Sequence, residues 1–305
     1  MNAQDSVLII GGVSWNAMVY VNAFPTPQPQ TVFSRGFHET VGSTGSGKAL
    51  NLHRLGMPVT LHALIGDDAP GQATRDYFNR EGVHFVYDID PAGTQRHINL
   101  MDKEEGRISI FVVYGTFEPA FDMKRLETLI GEHDHIVLNI SNYCRYLIPL
   151  IKQAGKAIWC DLHDYDGKNP FYDDFIKAAD YLFMSSDAHG IKSYRAFMET
   201  QIAAGKRLVV STHGKNGSTA LTADGRWIET PAISEYSVKD TNGAGDGFVA
   251  GVLYGYANNY PIEQCLQFGS IVGGLAVTSL ELAAPELNPT LLATEYERLF
   301  NRKGI

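Results

Sequence analysis

Asp240-Thr241-Asn242-Gly243-Ala244-Gly245-Asp246-Gly247-Phe248-Val249-Ala250-Gly251 is the stretch on which the reading of this chain turns. Beyond Asp246, the apolar residues Phe248, Val249, Val252, Leu253 and Tyr256 recur at helical spacing, which predicts a helix beginning near Gly243 to Gly245. Small residues at that start let backbone N–H groups approach a ligand with no side chain in the way. A helix N-terminus offers unpaired donors and a partial positive charge, which suits an anion. Asp246 falls in the first turn, beside any phosphate held there, where its carboxylate can accept a proton from an attacking hydroxyl. The plainer alternative is that Thr241 caps a helix whose glycines only make a tight turn.

Working outward, Val7 to Ile10 is a short apolar run ending in Gly11-Gly12, a central strand running into a loop. Lys48 to Leu55 has apolar residues at 49, 50, 52 and 55, a helical spacing that Gly56 terminates. Val59 to Ile65 reads as a strand and Gly71 to Glu81 as a helix. From residue 122 strands (Ile136 to Ile140, Ala157 to Asp161, Tyr181 to Met184, Leu208 to Ser211) alternate with helical stretches, which predicts a mainly parallel sheet with helices on both faces. Gly217 to Leu221 and Arg226 to Thr230 suggest a late antiparallel hairpin. Residues 83 to 113 differ. Phe85 to Ile89, Arg96 to Met101 and Arg107 to Val113 alternate and are separated by turn residues, the pattern of antiparallel hairpins. With Thr31 to Val41 they are expected to form a small separate sheet. One domain over 1–305 is expected, carrying a β lid built from about 14–41 and 83–113.

Composition narrows the partners. Of 305 residues, 44% are hydrophobic and 19% charged, enough for a sizeable core. A formal net charge of -9 disfavours nucleic acid and anionic membranes. No apolar run approaches the roughly 20 residues of a membrane span, and Met1 to Asp5 lacks the basic start of a signal peptide. A cytoplasmic protein is expected. Cys144, Cys160 and Cys265 match no zinc spacing and read as buried thiols.

The twelve residues from Asp240 to Gly251 resemble the C-terminal signature of the ribokinase-like, PfkB-type carbohydrate kinases, and the resemblance covers nearly the whole chain. Gly11-Gly12 and Phe24-Pro25 sit where that family places its first strand and loop, and Gly66-Asp67-Asp68-Ala69-Pro70-Gly71 is similar to its Gly-Asp-Asp-x-x-Gly turn. Thr212-His213-Gly214-Lys215-Asn216-Gly217 resembles its T-x-G-x-x-G nucleotide loop, and Gly269 to Thr278, with Ser270, its adenine-side helix. The resemblance implies a doubly wound ribokinase-like fold and transfer of the ATP γ-phosphoryl group to a hydroxyl of a sugar-like or nucleoside-like small molecule. Asp246 is then the base, and backbone donors from Asn242, Gly243, Ala244 and Gly245 stabilise the transferring group. It also implies Mg²⁺ on the phosphates, a monovalent-cation site beside Asp240, and a homodimer through the lid.

Several positions depart from the family pattern. Asn16 stands where many members carry an Asp that grips substrate hydroxyls. The Gly-Gly-x-x-x-Asn loop becomes Gly42-Ser43-Thr44-Gly45-Ser46-Gly47, so Gly47 replaces the substrate-binding Asn. The N-x-x-E segment becomes Ser185-Ser186-Asp187-Ala188, which leaves the Mg²⁺ ligands unassigned. Glu281-Leu282-Ala283-Ala284 replaces the cation loop, so potassium dependence is not implied. The substrate pocket is expected around Asn16, Gly42, Ser43 and Gly47, with Arg96 and His97 reaching down from the lid and Arg96 suited to a carboxylate or phosphate. Ser185, Thr212, Gly214 and Gly217 are expected at the nucleotide. His163 and Asp164 lie at a C-terminal strand edge and read as solvated loop residues or ligands.

Two rival classes stay open. Gly42 to Lys48 satisfies most of the P-loop pattern, but Ala49 replaces the hydroxyl residue that ligates Mg²⁺. That reading makes Lys48 essential, whereas the kinase reading makes Asp246 essential. The other rival is a metabolite sensor that keeps the fold without turnover.

Overall fold

A computed structural model describes residues 4–104, 106–186 and 194–301. The elements in chain order are β1 (Val7–Ile10), β2 (Ser14–Tyr20), β3 (Gly36–Gly42), α1 (Thr44–Arg54), β4 (Val59–Ile65), α2 (Ala69–Glu81), β5 (His84–Ile89), β6 (Arg96–Met101) and β7 (Arg107–Val113). They continue with α3 (Met123–Glu132), β8 (His135–Leu138), α4 (Ile148–Gln153), β9 (Ile158–Asp161), α5 (Asp173–Ala178), β10 (Tyr181–Ser185), α6 (Tyr194–Ala203) and β11 (Leu208–Thr212). The last are β12 (Ser218–Thr222), β13 (Trp227–Thr230), α7 (Ala244–Ala257), α8 (Ile262–Ala276) and α9 (Pro289–Phe300).

Nine strands form the main sheet in the order β13-β12-β11-β10-β9-β8-β1-β4-β5. All neighbours from β11 to β5 are parallel, and β12 and β13 add antiparallel at one end. Val7-Leu8-Ile9-Ile10 is buried throughout because β1 is central and covered on both faces. Its side chains alternate between two cores: Val7 and Ile9 pack with residues of α1 and α7, and Leu8 and Ile10 with residues of α3 and α5. Strand order reverses between β1 and β8, so the loops after those strands open a crevice at the C-terminal edge of the sheet. This is the doubly wound, mainly parallel architecture expected from the alternation of strands and helices.

A second sheet, β3-β2-β6-β7, forms the lid. It differs from expectation in one element. Residues 84–89 do not join it: β5 lies parallel to β4 at the edge of the main sheet. An edge strand with one half-covered face alternates as a hairpin strand does, so the pattern alone could not separate the two. The strand within Thr31 to Val41 is also shorter than expected, beginning at Gly36. Two aspartates pin the lid where it leaves the main sheet. The Asp68 carboxylate caps α2 through the Gly71 N–H and accepts from the Thr94 N–H and hydroxyl, just before β6. Asp90 accepts from the N–H and hydroxyl of Thr116, just after β7.

The three cysteines are free and buried, and among the described residues no helix is long and apolar enough to cross a membrane.

Candidate active site

The site is built where the first turns of α1 and α7 meet at the C-terminal edge of the sheet. Gly243 has φ 88, a left-handed conformation that glycine adopts without strain, and a Cβ there would lie 2.9 Å from the Leu282 carbonyl oxygen. That turn starts α7 with Asp246 in its first turn. The N–H groups of Ala244 to Asp246 have no preceding helical turn to supply i−4 carbonyls, although Ala244 N–H still reaches the Thr241 oxygen at 3.4 Å. A Cβ at Gly245 would meet nothing within 4 Å, so the helix end faces open space.

At α1 the same kind of glycine run is closed. The Ser46 N–H donates to the Gly12 carbonyl at 3.0 Å, and a Cβ at Gly45 would lie 1.9 Å from the Gly11 oxygen. The Thr44 hydroxyl donates to Asn139, whose amide in turn donates to the carbonyls of Ile10 and Gly11. This helix start is packed backbone against backbone and has no room for a phosphate. Lys48, the residue a P-loop would aim at phosphates, instead donates to Asp246 Oδ1 at 2.6 Å and lies 3.2 Å from Asp161 Oδ2.

This buried cluster is what sequence reasoning missed. The Lys48 side chain is 1% exposed, and those of Asp161 and Asp246 are 9% and 10% exposed. Burial works against the charge on Lys48, but Asp246 and Asp161 outweigh it and hold its pKa above the ordinary lysine value. Burial likewise pushes Asp161 up, yet His163 and Lys48 more than offset this and its carboxyl titrates below the usual range. His163, at φ 54, places Nδ1 3.2 Å from Asp161 Oδ2 and donates its backbone N–H to Asp161 Oδ1. Asp161, His163 and Asp246 bring ligand atoms within 4.8 Å of one another, but the cation among them is the Lys48 ammonium. A signal was present: Lys48 stands one helical turn before Leu52 on the apolar stripe of its helix, and a charge at a core position needs a partner.

Two glycines of the loop before and within α1 lie close against side chains of the site. A Cβ at Gly47 would lie 2.6 Å from Asp246 Oδ2, and one at Gly42 would lie 1.9 Å from Asn16 Nδ2. Gly47 therefore makes room for the Asp246 carboxylate and Gly42 for the Asn16 amide. Asn16 is buried and accepts from the Ser14 hydroxyl. Ser43, between Gly42 and α1, adopts φ 69, a strained conformation for a residue with a Cβ.

The lid presents two faces. Asn16, Thr40, His97 and Phe111 lie in register across its inner face, and the His97 ring packs on Phe111 with centroids 3.9 Å apart. Phe111 in turn stacks with the exposed Tyr114. Burial, then Arg107, pushes His97 down to about 4, so it is neutral near pH 7. Tyr20 and Arg107 reach the loop before α7: the Tyr20 hydroxyl donates to Asp240, and Arg107 donates to the Asn242 side chain at 2.7 Å. Asp240 also accepts from the Asn242 N–H, so it works as a strut between loop and lid. Arg96 is not brought to this face. It alternates to the outer face and pairs with Glu39. Asp164 is exposed, whereas its neighbour His163 is half-buried against Asp161.

Ser185 and Thr212 end adjacent strands in register, and the Gly214 to Gly217 turn follows at the same sheet edge. This turn borders a cleft of about 620 Å³ lined in part by Ser186, Tyr194, His213 and Thr219. Ser270 is buried on α8, which packs against α7. Asp187 and Ala188 lie outside the described residues.

A doubly wound sheet, a four-stranded lid and an aspartate at an open helix end define a small-molecule kinase of the ribokinase type. The pfkB family carbohydrate kinase model matches residues 5–289, and the chain belongs to that family. It is 31% identical over 286 residues to the acarbose 7(IV)-phosphotransferase of an Actinoplanes species, covering 91% of this chain and 94% of that one. It is 25% identical to the ribokinase of Bacillus subtilis over 288 residues, covering 90% and 93% of the two chains. A microbiome-derived acarbose kinase superposes with a TM-score of 0.86 at 29% identity, covering 96% of this chain and 99% of that one. An Arabidopsis thaliana ribokinase, solved with ribose and ATP, shares the fold with a TM-score of 0.81 at 17% identity, covering 96% and 98%.

Proposed function

We propose that this protein transfers the γ-phosphoryl group of ATP to a hydroxyl of a carbohydrate, with Asp246 as general base and the first turn of α7 as the anion hole. The observation that carries this reading is the Asp246 carboxylate at a helix end left open by Gly245 and tied to the lid through Tyr20 and Arg107. The acceptor hydroxyl loses its proton to Asp246 while its oxygen bonds to the γ-phosphorus and ADP leaves. N–H groups at Gly243 to Gly245 take up charge on the phosphoryl oxygens.

The acceptor lies against the inner face of the lid, where Asn16, Thr40 and His97 can meet hydroxyls and the Phe111–Tyr114 pair offers an apolar ring face. Acarbose and related oligosaccharides are the first acceptors to try, given the relatives named for them. Among the described residues, the acidic and histidine cluster of Asp161, His163 and Asp246 already holds a cation, the Lys48 ammonium. Mg²⁺ belongs to the substrate, on the ATP phosphates.

The test is ATP consumption by wild type and Asp246→Asn across oligosaccharides, monosaccharides and nucleosides, with Mg²⁺ and with or without K⁺. The expected result is turnover that needs an acceptor and falls by about 10²-fold or more in the variant. Binding without turnover of any acceptor would support a metabolite sensor instead.

The outer face of the lid fits pairing with a second copy. Phe37, Val19, Leu100 and Ile108 lie in register there, with Phe37 and Ile108 exposed, and β7 leaves an unpaired edge.

A further inference from the structure

Resting on the kinase reading above, we propose that Lys48 and Asp161 are positioning residues that share one buried cation with the base. Lys48 holds Asp246 Oδ1 so that Oδ2 is left for the acceptor, and Asp161 supplies the counter-charge that lets Asp246 become neutral during turnover.

The argument is one of charge. When the acceptor O–H bond breaks, its proton passes to Asp246 Oδ2, the acceptor oxygen bonds to the γ-phosphorus, and ADP leaves with the electron pair of the broken P–O bond. At that moment Asp246 carries no charge. An ammonium that is 1% exposed and paired with Asp246 alone would then be left buried and uncompensated, which opposes uptake of the proton. Asp161, 3.2 Å from the same ammonium, keeps it paired through the step. Without Lys48, two carboxylates would instead face each other in a buried site, and each would oppose ionisation of the other.

Among the described residues, the groups facing Asp246 are Lys48 from α1 and Asp161 and His163 from the end of β9, with His163 directed at Asp161. The adjacent Cys160 thiol, held well above its usual range by burial first and then by Asp161, stays neutral. Gly47 is part of the same arrangement, since any larger residue there would strike Asp246.

The deciding experiment is the pH profile of kcat/KM for wild type, Lys48→Met, Lys48→Arg and Asp161→Asn, each checked for folding by its thermal transition. In Lys48→Met the acid limb should move up by about one pH unit or more, the scale of removing an opposite charge in contact. In Asp161→Asn it should move down, because the cation then acts on Asp246 alone. Both should lose kcat by about tenfold or more with little change in KM for ATP, and Lys48→Arg should keep the wild-type limb. Limbs that coincide with wild type in both neutral variants would overturn the proposal. If Lys48→Met does not fold, Asp161→Asn decides alone: a downward limb supports the device and an unmoved limb overturns it. Failure of the underlying reading shows separately, as turnover that survives Asp246→Asn.

Discussion

The chain carries two glycine-rich helix starts, Gly42 to Lys48 before and within α1 and Asn242 to Asp246 at α7, and in sequence either passes for a phosphate cradle. Their surroundings are opposite. At α1 the Ser46 N–H is engaged by the Gly12 carbonyl, and Gly45 is glycine because Gly11 leaves no space for a side chain. At α7, Gly245 borders nothing within 4 Å. A glycine run before a helix is therefore an anion site only where its donors are not already bonded, and glycine serves close packing as readily as ligand approach.

The two starts are also joined. Lys48, which makes the first run look like a P-loop, is the ion-pair partner of Asp246 in the second. Lys48→Ala thus no longer separates a P-loop enzyme from a ribokinase-type kinase, since both predict lost activity. Asp246→Asn does separate them, and it carries the largest expected effect, about 10²-fold or more in turnover with ATP affinity retained.

Next in size is a pair of alanine substitutions that sets the two helix starts against each other. Gly45→Ala should destabilise the fold by about 1–3 kcal/mol or more, the scale of overpacking against a rigid neighbour, seen as a lower thermal midpoint. Gly245→Ala should leave the midpoint near wild type but raise KM for ATP several-fold, because its methyl group enters the open space proposed for phosphate. If instead Gly45→Ala weakens ATP binding at unchanged stability, the assignment of the two helix starts is reversed.

A smaller effect is expected where the lid touches the second helix start. Arg107→Ala removes the donor to Asn242 and should lower kcat/KM for the acceptor by roughly 3- to 10-fold, the worth of one hydrogen bond. Acceptor-independent ATP hydrolysis should rise as the lid closes less well, and an unchanged ratio of hydrolysis to transfer would remove the lid contact from the mechanism. Ile108→Asp on the outer lid face should leave the chemistry nearly unaltered. It should shift sedimentation from dimer to monomer, and a wild type that sediments as a monomer would end the pairing proposal.

Much of this protein was legible in its residues. Val7 to Ile10, the late alternation of strands and helices, and the apolar spacing after Asp246 follow local rules of periodicity, and these gave the main sheet and the start of α7. The twelve residues from Asp240 to Gly251 likewise carried the family and the candidate base, because anion binding at a helix end is local chemistry.

What the residues could not reveal depends on elements distant in the chain. The alternation of residues 84–89 suits a lid hairpin or the edge of the main sheet equally, and only pairing with β4 decides between them. Lys48, Asp161 and Asp246 are separated by scores of residues, and only the meeting of α1, β9 and α7 makes them one cluster. The lack of room for a side chain at Gly47 is set by Asp246, which lies about two hundred residues further along the chain. Periodicity and turn chemistry are properties of neighbouring residues, whereas burial of a charge, its partner and the room around it are set by packing across the whole chain.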